Sequence, residues 1–386
     1  MIGTTGADPP PAGHPPRGAA GPDGKHTDPP LADGPADLRA PKGRRKITVA
    51  IALVVVSLVA LYFLLPKLAG LHQTWGRLSH GDPLWLGAAA GAELLSIAGY
   101  IVLFRTVFGR GMHRLSWGAS VQIPLAGIAA IRLVAAGGAG AVALTVWALG
   151  RAGMEARVIA SRMVANLLVQ YAVYLGCLFL FGLGLAVGFL PGHGPAVLTL
   201  IPALLSVIVA AIAISAALVP ADFERRLRRI AKGPRWWRAV MVRVAVAPTA
   251  LGEGARTALA LIAARKPGLL GAVCYWGFDV AALGFSFRAF GGHPAVAVLV
   301  LGYFLGTLGS LLPLPGGIGG VEGAMIGAFA AFGIPAGQAV IVVLAYRAIS
   351  FWLPTLPGIA GYFALRRTVR RWDRGATGAA NATAGV

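Results

Sequence analysis

The chain has 386 residues, of which 57% are hydrophobic and 12% are charged. Its mean hydropathy of +0.73 lies far outside the range of soluble globular proteins. The formal net charge of +20 does not indicate nucleic-acid binding, because the basic residues cluster in short loops between apolar runs. The sequence therefore predicts an all-α fold, a polytopic membrane helix bundle of about eight transmembrane helices that includes re-entrant or broken helices.

The two ends of the chain differ from its apolar middle. Residues 1–46 are rich in Pro, Gly, Ala and Asp and lack apolar periodicity, which predicts a disordered cytoplasmic tail. This tail is too long, too acidic and too Pro-rich for a signal peptide, so the first apolar run, Ile47–Ala69, is predicted to be an uncleaved span. The transmembrane region is expected over residues 47–370, and a second disordered tail over 371–386. Both termini are expected in the cytoplasm, with the bundle in the plasma membrane.

The second apolar run, Pro83–Phe108, predicts an ordinary span, but residues 117–150 are harder to assign. This stretch is interrupted by Pro124, Arg132 and a Gly-rich cluster at 137–140. A single crossing would place the arginines that follow it outside the cell. The positive-inside rule favours a re-entrant hairpin that enters and leaves on the cytoplasmic side, and a single crossing is the alternative.

The second half of the chain contains an arginine-rich segment and further apolar runs. The segment Ala221–Lys266 includes Trp236 and Trp237, and it indicates either an amphipathic element lying on anionic headgroups or a solvated basic loop. An even number of crossings returns both termini to the cytoplasm. The remaining apolar runs predict spans at Val158–Phe189, Ala196–Val219, Gly268–Phe290, Pro294–Leu312, Ile318–Phe332 and Gln338–Leu365.

A helix-breaking stretch, Pro313–Glu322, lies inside apolar sequence and holds two prolines and four glycines. These residues cannot continue a regular helix, and an opened backbone in hydrocarbon is tolerated only against protein or a water-filled cavity. The stretch predicts either one wall of a site, with Gly316 and Gly317 at its centre, or a tight turn between two spans. We expect it at the cytoplasmic end of a span. With the break at 137–140 it forms the pattern of a transporter built from repeats, unless the abundance of glycine produces it by chance.

Five charged residues occur deep within apolar runs. A charge at such depth costs about 2.5 to 3.5 kcal/mol on insertion scales, so each is expected to face the bundle interior and to find a partner. They either pair with one another to hold the bundle together or line a functional cavity. Guanidinium groups bind a phosphate headgroup in a bidentate way, which favours an anionic ligand. The predicted substrate-binding residues are Glu93, Arg132, Asp279, Glu322 and Arg347, with Gly316 and Gly317.

The sequence contains none of the common catalytic or nucleotide-binding motifs, such as a P-loop, H-E-x-x-H, G-x-S-x-G or Cys-x-x-Cys. Cys177 and Cys274 lie within apolar runs and indicate packing rather than a disulfide or a metal site. We therefore predict no catalytic residue, no metal and no cofactor, and a membrane lipid rather than a nucleic acid as the partner.

The C-terminal motifs resemble a known family. They are Pro313–Glu322, Gly333–Pro335, Ala345–Arg347, Phe351–Pro354 and Pro357–Gly358, and together they resemble the signature of the lysylphosphatidylglycerol synthase transmembrane region, a flippase-like family. The resemblance implies a bundle with re-entrant elements that translocates charged or glycosylated lipids, with Glu322 and Arg347 at the characteristic acidic and basic positions. In that family a Pro followed by a Gly-Glu pair marks the first half, where this chain has Arg132 and Gly137–Gly138 without a Glu.

The named synthase carries a soluble aminoacyl-transferase domain after this region. The present chain is expected to be the membrane region alone, without the lysyl-transfer reaction. The leading hypothesis is a lipid flippase or transporter-like protein for an anionic or glycosylated lipid, with a separately encoded transferase as a further partner. The alternatives are a membrane enzyme or accessory subunit acting on a lipid-linked sugar or phosphate through Glu322 or Asp279, and a non-transporting scaffold.

Overall fold

The structure, a computed structural model, describes residues 80–109, 115–133, 138–217, 251–312 and 317–384. Within these ranges the regular elements are helices, which confirms the all-α prediction. Five of the helices are long and apolar enough to cross a membrane, so the protein is a multi-pass membrane protein. The predicted first span, Ile47–Ala69, and most of the arginine-rich segment lie outside the described residues.

The helices are numbered in chain order. The long apolar ones are α1, α4, α5, α7 and α10, and short 3-10 turns at Pro267–Leu269 and Leu308–Leu311 precede α7 and follow α8. The bounds are α1 Pro83–Phe108, α2 Trp117–Leu133, α3 Ala139–Arg151, α4 Ala156–Ala186, α5 Ala196–Ala217, α6 251–263, α7 Leu270–Ala289, α8 Val296–Thr307, α9 Gly320–Ala331 and α10 Ala336–Ala384.

Helices α1 and α7 form a closely packed antiparallel pair. At one end the Asp82 amide donates to the Ala289 carbonyl at 3.0 Å. Further along, the Ser96 hydroxyl donates to the Tyr275 carbonyl at 2.8 Å, and a Cβ on Gly99 would lie 2.9 Å from the Gly271 carbonyl oxygen. Small residues at such a crossing let two membrane helices approach backbone to backbone. The register places residue 93 of α1 at the level of residue 279 of α7.

Basic residues gather at one end of the bundle, which we call the basic end. Arg151 pairs with Asp373 at 2.8 Å, and Arg157 pairs with Glu253 of α6. Arg162 donates to the carbonyl of Phe108 at 2.9 Å, at the end of α1. These contacts join the ends of α1 and α3, the start of α4, α6 and the C-terminal part of α10.

Helices α2 and α3 form the first hairpin, which begins and ends at the basic end. Near the start of α2, Ser120 accepts a hydrogen bond from Arg105 at 3.0 Å, and α3 returns to the Arg151 ion pair. The 17 residues of α2 and 13 residues of α3 extend about 26 and 20 Å, less than the ~30 Å of hydrocarbon. This geometry is that of a re-entrant element rather than of a single crossing.

Helices α8 and α9 form the second hairpin, which is closed by glycines. Gly302 faces Phe329, Gly306 faces Met325, and Gly309 faces Gly320 so closely that neither glycine could carry a Cβ without displacing backbone. The pairing of early with late residues makes the two limbs antiparallel. Their 12 residues each extend about 18 Å.

Both limbs of the second hairpin reach the end of the bundle opposite the basic end. There Val298 lies against Gly192 and Phe332 against Gly194, in the loop between α4 and α5. The sequence predicted Pro294–Leu312 and Ile318–Phe332 as separate spans with the break at the cytoplasmic end; in the structure they are the two short limbs of one hairpin. Apolar composition is the same for a helix that crosses and for one that turns back, so composition alone does not separate the two.

Helix α10 packs against both hairpins and is the most buried of the long apolar helices. Its Gly358 and Gly361 lie against α2, with a Cβ on Gly358 only 2.8 Å from the Leu125 carbonyl oxygen. The helix continues to Ala384, beyond residue 370, where the sequence predicted a disordered tail to begin. The ion pair between Asp373 and Arg151 ties this extension to the first hairpin.

Candidate substrate site

The first hairpin places Arg132 against the middle of α10. One terminal nitrogen of its guanidinium donates to the Phe351 carbonyl and lies 3.3 Å from the Thr355 hydroxyl. The guanidinium carbon lies 5.3 Å from the centre of the Phe351 ring, within the range of a cation–π contact. Arg132 is the penultimate residue of α2, so the charge stands directly before the break in the hairpin.

The second hairpin places Glu322 against Arg347, which lies one turn of α10 before Phe351. One carboxylate oxygen accepts from Arg347 Nε at 2.7 Å, and the other accepts from the Gly319 amide at 2.7 Å. The two side chains of the ion pair are 16% and 13% exposed, which is far more buried than a surface pair. Glu322 therefore caps α9 and ties the break to α10.

Glycine is required at the break for a conformational reason. Gly317 and Gly319 have φ angles of +68° and +85°, a region that side chains with a Cβ avoid. Gly317 is buried, with a Cβ position 3.1 Å from the Val321 side chain. Gly317 thus belongs to the turn that directs Glu322 toward Arg347. Gly316, the other predicted glycine, lies outside the described residues.

Asp279, midway along α7, accepts hydrogen bonds on both carboxylate oxygens. The donors are the hydroxyls of Tyr303 at 2.7 Å and Tyr346 at 2.5 Å, which come from α8 and α10. Both tyrosines are almost fully buried. Sequence reasoning missed them, although a tyrosine in an apolar helix signals a hydroxyl that needs a partner.

Glu93, on α1, is 4% exposed and lies within electrostatic range of Asp279, Arg132 and Arg347. Its Oε2 atom is buried and makes no hydrogen bond within the described part of the chain. The antiparallel register of α1 and α7 explains why it faces Asp279. The Ser350 hydroxyl, one turn along α10 from Tyr346, is a second buried oxygen without a partner there.

The five predicted charged residues thus meet in one interior region, which we call the charged cluster. It combines carboxyl groups from α1, α7 and α9 with guanidinium groups from α2 and α10. Each half of the chain contributes to it. Among the described residues, no group of three or more His, Cys, Asp or Glu side chains could hold a metal ion.

An aromatic wall borders the charged cluster. Tyr275 lies 5.4 Å from Tyr100 and 4.9 Å from Trp276, measured between ring centres. Tyr174 donates to the Phe304 carbonyl at 2.7 Å, and the Trp276 indole donates to a backbone carbonyl of α4. The wall connects α1, α4, α7 and α8.

Comparison with known proteins places this arrangement in a family. Residues 48–358 match the family described as the lysylphosphatidylglycerol synthase TM region. The chain belongs to this family. The match covers both hairpins and the part of α10 that contains Arg347, Phe351 and Thr355, which confirms the resemblance inferred from the C-terminal motifs.

Three relatives from Methanothermobacter thermautotrophicus, each described as a UPF0104 membrane protein, are similar to part of the chain. They are 37% identical over 84 residues, 40% over 85 and 31% over 86. Each match covers 22% of this chain and 24–25% of the relative. The chain thus matches about a quarter of the length of these relatives, and the similarity extends the family assignment but says nothing of an activity.

Proposed function

We propose that this protein is a lipid flippase or transporter-like protein that moves or binds a lipid with an anionic or glycosylated headgroup. The proposal includes a plasma-membrane location with both termini in the cytoplasm. The observation that carries it is the meeting of two hairpins, which enter from opposite ends of the bundle, at one charged cluster on α10. Broken helices that converge near the middle of the bundle are a recurring arrangement of transporter substrate sites.

The guanidinium groups of Arg132 and Arg347 supply the recognition of an anion. Guanidinium binds phosphate with parallel N–H donors, and burial strengthens such charge-assisted bonds. A phosphate entering the cluster competes with Glu322 for Arg347. Displacement of Glu322 releases the tip of the second hairpin from α10, so headgroup binding and hairpin movement are linked.

Reconstitution tests this proposal. The full chain is placed in liposomes with fluorescent phospholipids, and movement between leaflets is followed by quenching from outside. The wild type is expected to move lipid, whereas Arg132→Gln and Arg347→Gln abolish movement but remain inserted. The double variant Glu322→Gln with Arg347→Gln is also expected to be inactive, because it restores a neutral hydrogen bond without restoring a guanidinium.

The matched control is Arg151→Gln at the basic end. There Arg151 pairs with Asp373, and both side chains are about half-exposed. This control is expected to move lipid at the wild-type rate. Unchanged movement in the Arg132 and Arg347 variants would contradict the proposal. Product formation from a lipid-linked sugar or phosphate would favour the enzyme alternative, and a wild type without movement or product would favour the scaffold.

A further inference from the structure

The charged cluster contains one more carboxyl group than guanidinium groups. Glu93, Asp279 and Glu322 lie with Arg132 and Arg347. An anionic headgroup would add negative charge to a buried region that is negative already if every carboxyl group is ionised. Uncompensated charge is costly at this depth. With every carboxyl group ionised, a positive charge that accompanies the headgroup would keep the net charge of the cluster unchanged.

Glu93 is the carboxyl group in the cluster that can take up this charge as a proton. Asp279 and Glu322 each accept hydrogen bonds on both oxygens. Glu93 differs, because its buried Oε2 makes no hydrogen bond within the described residues. A protonated Glu93 would supply a hydrogen-bond donor at this position. An ionised Glu93 would supply only a second negative charge facing Asp279.

We propose that Glu93 is a proton-binding site and that it takes up a proton when Arg132 and Arg347 bind an anionic headgroup. This inference rests on the proposed function and names its coupling ion. The O–H bond forms on the Glu93 carboxylate, and the proton comes from hydronium in the adjoining aqueous phase, which becomes water. One proton then travels with each singly charged headgroup, so the loaded site carries the same net charge as the empty site.

The groups on the helices packed around Glu93 leave Glu93 as the side chain that exchanges a proton. The phenols donate to Asp279 or lie in the aromatic wall, and the Ser96 hydroxyl donates to a backbone carbonyl. The polar groups that face the Glu93 region are Ser96 and Tyr100 of α1, Arg132 of α2, Tyr275 and Asp279 of α7, Tyr303 of α8, and Tyr346 and Arg347 of α10.

Thermodynamic linkage between proton binding and lipid binding determines how lipid affinity changes with pH. If headgroup binding takes up a proton, a lower pH strengthens lipid binding, and lipid binding strengthens proton binding by the same factor. Above the midpoint of the Glu93 titration, affinity is expected to fall about tenfold per pH unit. A proton gradient across the membrane would then drive the lipid toward the less acidic side.

The test measures proton uptake by the purified full chain in weakly buffered detergent. The probe is short-chain phosphatidylglycerol, whose phosphodiester keeps a single charge across the pH range. At a pH above the midpoint of the Glu93 titration, the wild type is expected to take up about one proton per bound lipid. Glu93→Gln is expected to take up none, with an affinity that no longer changes with pH. Glu93→Asp is expected to restore uptake with a shifted midpoint, and Glu253→Gln at the basic end should behave as wild type.

Infrared difference spectra on a pH jump, recorded without lipid, separate the two proposals. A protonated-carboxyl band that is present in the wild type and absent in Glu93→Gln supports the proton site. Its absence in the wild type, or equal uptake by Glu93→Gln, overturns this inference and leaves the flippase proposal standing. A band at Glu93 in a protein that binds and moves no lipid defeats the flippase proposal and the coupling, and leaves a proton site alone.

Discussion

The two hairpins each bring one charged side chain to α10, but from opposite ends of the bundle and with opposite signs. The first enters from the basic end and presents a guanidinium, Arg132, just before its break. The second enters from the other end and presents a carboxylate, Glu322, just after its break. Both contacts fall within the segment 347–355 of α10. One central helix therefore receives a charge from each side, and the two charges have opposite signs.

The hairpins also differ in how their limbs are held together. In the second, Gly309 and Gly320 bring the two backbones into contact. In the first, the Cβ position of Gly127 lies 3.8 Å from the Ala141 side chain, which is an ordinary van der Waals separation. The second hairpin thus has closely packed limbs and an ion pair to α10. The first has more loosely packed limbs, and its Arg132 donates to the α10 backbone.

The ion pair of the second hairpin is expected to give the largest effect. Arg347→Gln leaves Glu322 buried without its cation, and such a change costs about 3–5 kcal/mol of stability. Adding Glu322→Gln should recover a large part of this loss. Reversible denaturation in detergent with a double-mutant cycle measures both. A loss below about 1 kcal/mol in Arg347→Gln would mean that the second hairpin is held mainly by its apolar contacts.

The next largest expected difference in stability is between alanine substitutions at glycines in the two hairpins. Gly309→Ala forces a methyl group into the backbone of α9 and is expected to cost about 1–3 kcal/mol or more. Gly127→Ala in the first hairpin has room for the same methyl group and should be neutral or slightly stabilising, because alanine favours helix. The same denaturation measurement checks the pair. Equal losses would show that the difference in limb packing does not hold.

The contact of the first hairpin is expected to matter less for stability than for transport. Arg132→Gln removes the donor to the Phe351 carbonyl, but Thr355 also donates to that oxygen at 2.5 Å. The loss should be about 1–2 kcal/mol while lipid movement is abolished. Thr355→Ala provides the comparison, since it removes the second donor and keeps the guanidinium. Lipid movement in Arg132→Gln at the wild-type rate would assign Arg132 a structural role alone.

The smallest effect lies outside the hairpins, at the pair of Arg157 and Glu253. The hydrogen bond from Arg157 lowers the pKa of Glu253 below its ordinary value, with partial burial opposing. A lowered folded-state pKa stabilises the protein above the unfolded-state value, and this contribution disappears as pH falls through the folded-state pKa. Glu253→Gln should cost at most about 1 kcal/mol at neutral pH and nothing at low pH. A loss that grows on acidification would contradict the pairing.

Local signals predicted α1 well. Its predicted and observed bounds, Pro83–Phe108, coincide, because Asp82 caps the first turn, Pro83 suits the first helical position, and Gly109 ends it. The five charges within apolar runs were also visible, since their cost in hydrocarbon is independent of the fold. Such signals depend only on residue type and near neighbours, so sequence alone contains them.

Tertiary relations were not predictable in the same way. The direction in which α8 and α9 enter depends on contacts with the loop between α4 and α5, which are remote in sequence. The hydrogen bonds from Tyr303 and Tyr346 to Asp279 join three helices whose relative rotation no local pattern specifies. The bond from Arg132 to Phe351 likewise joins residues from opposite halves of the chain.

The opposite entry of the two hairpins is the central claim, and cysteine accessibility tests it most directly. In a Cys177→Ala, Cys274→Ala background, single cysteines replace exposed residues at the limb ends, Ser116 and Glu155 for the first hairpin and His293 and Pro335 for the second. A membrane-impermeant maleimide should label 293 and 335 in intact cells, and 116 and 155 only after permeabilisation. Labelling of the two members of either pair from different faces, or of all four positions from one face, would contradict the account.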